Sequence, residues 1–159
     1  MNRREFTFGL LAGAAGFLLA KVLGDSAAFA QSGQRFSAIV VDTKPLEARG
    51  ASGAAAIIRP QLQASLQREM AGRIGRGGPT LVVRIETVFL AASAIEGGGR
   101  RSASYSDYLE GEVIAGQQRF PLFATQSSSM AGAWYAPDNE ARRLRALAVQ
   151  FAGWVSRKV

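Results

Sequence analysis

The stretch Thr80 to Ala92, TLVVRIETVFLAA, constrains the fold more than any other part of the chain. Leu81, Val83, Ile85 and Phe89 fall on one side of an extended backbone, and Arg84 and Glu86 fall on the other. Period-two alternation rich in Val, Ile, Thr and Phe is the pattern of a strand with one face in a core. Such a strand needs neighbours on both edges and a cover on its apolar side, so the flanking sequence has to supply them.

Upstream, Arg35 to Asp42, RFSAIVVD, reads as the first strand, with Ile39, Val40 and Val41 forming an apolar run suited to burial on both faces. Thr43-Lys44-Pro45 ends it, because the residue before a proline avoids helix. Ala51 to Ile74 then reads as a helix. Ile58, Leu62, Leu66, Met70 and Ile74 recur every four residues and make one stripe, with Arg59, Gln63, Gln67 and Arg68 elsewhere. Ser52 is a candidate N-cap. Pro60 requires the helix either to start near Arg59 or to start near Ser52 and bend. Gly75-Arg76-Gly77-Gly78-Pro79 is a stop signal.

Downstream, Tyr105 to Ala115 resumes the strand pattern, with Leu109 and Val113 on one side and Tyr108, Glu110 and Glu112 on the other. Gly116-Gln117-Gln118 turns, and Arg119 to Thr125 returns with Phe120, Leu122 and Ala124 on one face. Pro121 cannot donate to a ladder, which puts this strand at an edge. Gln126 to Ala136 is a loop, and Asp138 opens a final helix whose stripe is Leu144, Leu147, Ala148, Phe151 and Val155. Arg142, Arg143, Arg145 and Gln150 are expected to face water. The expected fold is α+β: two helices on one face of a four-stranded, mostly antiparallel sheet, in the order β-α-β-β-β-α. If the first two strands are parallel, their helical crossover is right-handed. Arg84, Glu86, Tyr108, Glu110 and Glu112 then look outward from the uncovered face.

The chain has neither Cys nor His. That removes thiol catalysis, thiolate metal sites and histidine general bases, and neither a metal nor another cofactor is expected. Nineteen Lys and Arg against twelve Asp and Glu give a net charge of +7. The basic residues are scattered, no run exceeds two, and no nucleic-acid partner is expected.

Residues 1–31 read MNRREFTFGLLAGAAGFLLAKVLGDSAAFAQ. Arg3 and Arg4 precede an uncharged run from Phe6 to Ala20. Ala28 and Ala30 offer the small side chains that a signal peptidase reads, with Gln31 next. The run is shorter than the ~20 residues of a comfortable membrane span. Asn2-Arg3-Arg4-Glu5-Phe6 resembles the twin-arginine export signal, in which two arginines, any residue and Phe follow one another. Lys21 resembles the basic residue that such signals place after the apolar run. The pattern departs from the signal at Asn2, Thr7 and Phe8. The resemblance implies residues 1–30 as an export signal, the alternative being a general secretory signal with two arginines by chance, and the length of the remainder, 31–159, suits one domain. It also implies the twin-arginine translocase and a signal peptidase as partners during export. The expected destination is the periplasm, with a membrane tether only if cleavage fails.

Four groups of residues invite a chemical role. Glu86, Glu110 and Glu112 share the open face, but glycoside hydrolysis needs one carboxyl kept protonated in a desolvating pocket. Outward charges on a one-sided sheet explain them as well. Ser127, Ser128 and Ser129 lack a histidine base and read as a polar loop. Gly97-Gly98-Gly99-Arg100-Arg101 offers backbone N–H groups and guanidinium forks to an anion, although phosphate loops run from strand into helix, not strand to strand. Trp134 and Tyr135, in a Gly- and Ser-rich loop, either anchor a partner or tuck under the final helix. Arg100, Arg101, Trp134 and Tyr135 are therefore the candidate binding residues, and no catalytic residue is assigned.

The element order over residues 35–158 resembles small envelope proteins with two helices on a four-stranded sheet. Examples are the lipopolysaccharide-assembly lipoprotein and the auxiliary lipoproteins of ABC-type transporters. The lipidation cysteine of those proteins is absent. The resemblance implies a non-enzymatic periplasmic domain that binds a partner protein or an envelope component. A small hydrolase working through acidic residues and an anion binder using the Arg-rich loop are the alternatives.

Overall fold

The computed structural model describes residues 34–91, 106–128 and 136–159. Strand β1 (Ala38–Asp42) is followed by a short helix α1 (Lys44–Ala48) and a long helix α2 (Ser52–Glu69). Strands β2 (Thr80–Phe89), β3 (Ser106–Ala115) and β4 (Gln118–Ser127) come next, and helix α3 (Asn139–Lys158) is last. The strands form one sheet in the order β1-β2-β3-β4. The β1 strand is parallel to β2, and the other pairs are antiparallel. This is the α+β architecture expected from the sequence, with Pro121 on an edge strand.

One face of the sheet carries the core. Leu81, Val83 and Ile85 of β2, Leu109 and Val113 of β3, and Leu122 and Ala124 of β4 are buried. Against them lie Ile58, Leu62 and Leu66 of α2 and Leu144, Leu147, Phe151 and Val155 of α3. Fully burying each large side chain contributes about 1.5–3 kcal/mol, so these stripes position the helices. Arg73 ties the assembly at one end. Its Nη1 donates to the carbonyl of Ser156 at 3.1 Å, and its Nη2 reaches that of Val159, at the end of α3.

Helix α2 starts at Ser52 and continues through Pro60, and the recurrent stripe ends in a separate 3₁₀ turn at Ala71–Arg73 rather than continuing to Ile74. Pro60 and Ala56 are both exposed, so the Ala56 carbonyl that Pro60 cannot serve is open to water. Ser52 is the first helical residue and makes no side-chain cap; Ala51 stands at the N-cap. Pro45, expected only to end β1, instead sits in the first turn of α1, where its missing N–H has no helical partner to lose. Val40 is 45% exposed, so β1 is buried on one face only and not on two. Among the described residues no layer covers its other side.

The alternation of β2 changes hand partway along. Ile85 pairs with Gly111 and Thr87 with Glu110, which leaves Glu86 as an extra residue, a β-bulge. Beyond it Val88 packs against the core, and Phe89 turns to the open face with 47% of its surface exposed. The expectation that Phe89 shares the side of Leu81, Val83 and Ile85 is thus corrected by one inserted residue.

Candidate functional site

The uncovered sheet face carries two rows of side chains. The first is charged. Arg84 Nε donates to Asp42 Oδ2 at 3.2 Å, and Arg84 Nη1 lies 3.5 Å from Glu112 Oε2, which Arg119 approaches at 3.9 Å. The second row is aromatic. Phe89 stacks on Tyr108 with ring centroids 5.2 Å apart, and Tyr108 meets Phe123 at 5.3 Å. Three strands supply this row, one ring each. Phe123 is 55% exposed, which makes it the most open large apolar side chain of the described residues. Glu110 pairs in register with Phe123 and is exposed beside the rings. Among the described residues no cation pairs with Glu110.

On the helix side, a cleft of about 750 Å³ opens between the first turns of α2 and α3 and the end of β2. Gly50, Ala51, Gly53 and Ala54 make one lip; Asn139, Glu140 and Arg143 make the other; Val88, Leu90 and Leu144 line the floor. Neither long helix has a side-chain N-cap hydrogen bond. At the start of α3 the Asn139 N–H is served instead by the Ala136 carbonyl at 3.0 Å.

Behind this cleft is a buried ion pair. Arg143 Nε donates to Asp107 Oδ2 at 2.8 Å, and its Nη2 donates to Asp107 Oδ1 and, at 2.7 Å, to the carbonyl of Ala91. Asp107 Oδ1 also accepts the N–H of Ala91 at 3.0 Å. Asp107 is fully buried and Arg143 is 6% exposed. The hydrogen bond to Asp107 raises the pKa of Arg143 further, against the opposing effect of burial. Arg143 thus does not face water, contrary to the expectation from its charge. It lies four residues before Leu147, on the apolar stripe, and Asp107 lies two before Leu109, on the inward face of β3. Both positions follow the periodicity; only the residue types concealed them. Together they clamp Ala91, two residues past the end of β2.

Arg100, Arg101, Trp134 and Tyr135 lie outside the described residues, as do Arg3, Arg4, Phe6, Ala28 and Ala30. Ala91 and Ala136, the described residues that border the two segments holding the candidate binding residues, both belong to the cleft wall. Glu110 and Glu112 do share the open face, and neither lines the cleft, whose acidic side chain among the described residues is Glu140. Among the described residues no group of three acidic side chains is placed to hold a metal, and no helix is long and apolar enough to cross a membrane.

No family model and no curated protein matches the chain. Among solved structures, a minor lipoprotein from Acinetobacter baumannii is similar over 79% of this chain and 92% of its own, at 12% identity and a TM-score of 0.39.

Proposed function

We propose that the chain is an exported, non-enzymatic domain that binds a partner protein on the open face of its sheet. The observation that carries this reading is the row Phe89–Tyr108–Phe123, on the face that no helix among the described residues covers. Aromatic rings of this kind supply large contact area at small entropic cost, and an uncovered cluster marks an interaction site more often than scattered apolar residues do. The bulge at Glu86 supports the same reading. Without it, Phe89 would be in the core, and the row would lose one of its three rings. The Glu110 carboxylate beside the ring faces, which no cation pairs among the described residues, points to the partner's chemistry: a lysine or arginine set in an apolar patch. Export through Arg3, Arg4 and Phe6, with cleavage after Ala30, delivers the domain to the periplasm, where the partner is an envelope protein.

The test is crosslinking in cells with the tagged protein, followed by identification of the captured protein and of the linked residues. Phe123→Ser and Glu110→Gln are each expected to reduce capture of the same protein by about tenfold, the effect of losing ~1.4 kcal/mol at a desolvated contact. Links should map to β3 and β4. A partner retained in full by both variants overturns the proposal. So does replacement of the captured protein by a homodimer or by sedimentation with lipid vesicles.

A further inference from the structure

We infer that the end of the domain where β1, β2 and β4 begin docks on an anionic phospholipid surface. Basic side chains that are scattered along the sequence meet there. Arg73 Nε donates to the Gln34 carbonyl at 3.1 Å, and the same guanidinium holds the end of α3. The turn from Gly75 to Pro79 packs on the same place: the Gly75 N–H donates to the Phe36 carbonyl at 2.9 Å, and the Ser37 N–H donates to that of Pro79 at 3.0 Å. Pro79 in turn lies beside Gly116, where a Cβ would meet it at 3.5 Å, in the turn between β3 and β4. These contacts gather Arg35, Arg76, Arg119, Arg157 and Lys158 at one end, all of them exposed. Among the described residues no carboxylate pairs with Arg35, Arg76, Arg157 or Lys158, and Arg119 comes no nearer than 3.9 Å to Glu112. Glu69 ends α2 here, with Arg68 before it. The local balance is strongly positive, which suits a surface dense in phosphate.

Charge alone suits any polyanion, and Trp154 narrows the choice to a bilayer. Its indole is 41% exposed near the end of α3, and the Arg157 guanidinium carbon lies 4.4 Å from the ring centroid. An exposed indole among cations matches the headgroup region: the ring enters the boundary with the acyl chains, while Arg and Lys reach the phosphates. The residues ahead of Gln34, the uncharged run Phe6 to Ala20 among them, join the domain at this end, so on the export reading this end follows the signal segment in the chain. Phe89 and Tyr108 lie toward the other end of their strands, so a bilayer here leaves the ring row free. The two surfaces are separate. Vesicle binding beside protein capture leaves the sheet-face reading intact; vesicle binding in place of it does not.

The chain has two tryptophans, so Trp134→Phe leaves Trp154 as its sole indole. The full chain with this change is titrated with vesicles of phosphatidylcholine and about 30% phosphatidylglycerol, carrying brominated acyl chains. Trp154 emission should shift to the blue and be quenched, half-complete below about 1 mM lipid. Phosphatidylcholine alone should need at least about tenfold more lipid. The quenching reports on Trp154 itself: a chain held on the vesicle by its signal segment alone would not bring bromine to this ring. Arg76→Gln with Lys158→Gln removes exposed cations that each contribute about fivefold at such a surface. The double change should raise the lipid required by about tenfold or more and leave the thermal melt unchanged. Phe123→Ser should leave the quenching as it is. The inference is overturned if Trp154 is not quenched, or if neutral vesicles quench it as well. It is also overturned if the double change leaves the lipid requirement unaltered, or if Phe123→Ser raises it, which would put the lipid on the sheet face.

Discussion

Asp107 and Arg143 have left water almost completely, and each depends on the other for that to be tolerable. Removing one partner strands a buried charge, which costs about 3–5 kcal/mol, a large share of the ~5–15 kcal/mol by which a domain is stable. Asp107→Ala should therefore lower the urea midpoint severely. The double change Asp107→Leu with Arg143→Met should recover most of the loss, because an apolar pair of similar volume needs no counter-charge. Similar losses in the single and the double variant would mean that the Ala91 hydrogen bonds, not the charges, carry the effect. The pKa of Arg143 is raised in the fold, so its contribution is fully present below the unfolded value and is lost only as pH rises through the folded one. Both lie far above neutrality, and no pH dependence from Arg143 is expected between mildly acidic and mildly alkaline conditions.

At the scale of the strand pair, the bulge in β2 depends on what faces it in β3. Gly111 stands opposite Ile85, and a Cβ on it would come within 2.1 Å of the Arg84 carbonyl oxygen. That obstacle is backbone, which cannot rotate aside. Gly111→Ala should force the strands apart and cost about 1–3 kcal/mol or more, read from chemical denaturation. It should also expose or displace Phe89 and Tyr108, read from near-ultraviolet dichroism; an unchanged spectrum and midpoint would mean that β2 and β3 accommodate the methyl group. The same pair separates what one strand dictates from what pairing dictates. Leu81, Val83 and Ile85 follow a plain alternation, and so do Leu109 and Val113, because each is set by its own strand. The placement of Phe89 is a property of pairing across two strands, and Glu86 carries no local mark of being the extra residue. The outward position of Tyr108 is legible in the sequence, and that of Phe123 follows from its place between Leu122 and Ala124. Arg143 and Asp107 sit on the correct stripes, but charge spoke against burial. The cleft joins helix starts that are distant in the chain, Ala51 and Asn139, so no single stretch announces it.

For the whole molecule, the proposed export makes a prediction about where the folded domain begins. The core of the described residues begins at Phe36, which is fully buried and whose N–H donates to the Arg73 carbonyl at 2.8 Å. Cleavage after Ala30 therefore falls before the first core residue and leaves β1 able to pair with β2. The parallel β1–β2 pair joins segments far apart in sequence, so it forms only when α2 has also been made. With no cysteine in the chain, folding needs no oxidising compartment, so the proposed export can follow folding. Those conditions suit a route that carries folded proteins, which is the one that Arg3, Arg4 and Phe6 resemble. The periplasmic protein should begin at Gln31 by mass spectrometry. Changing Arg3 and Arg4 together to Lys keeps the charge but alters the guanidinium pair. It should leave the uncleaved protein in the cytoplasm, still folded and resistant to limited proteolysis. Export unchanged by the double lysine variant would exclude the twin-arginine route. A mature terminus well beyond Phe36 would exclude the domain boundary, because the cleaved chain would lack the residue that closes one end of the core.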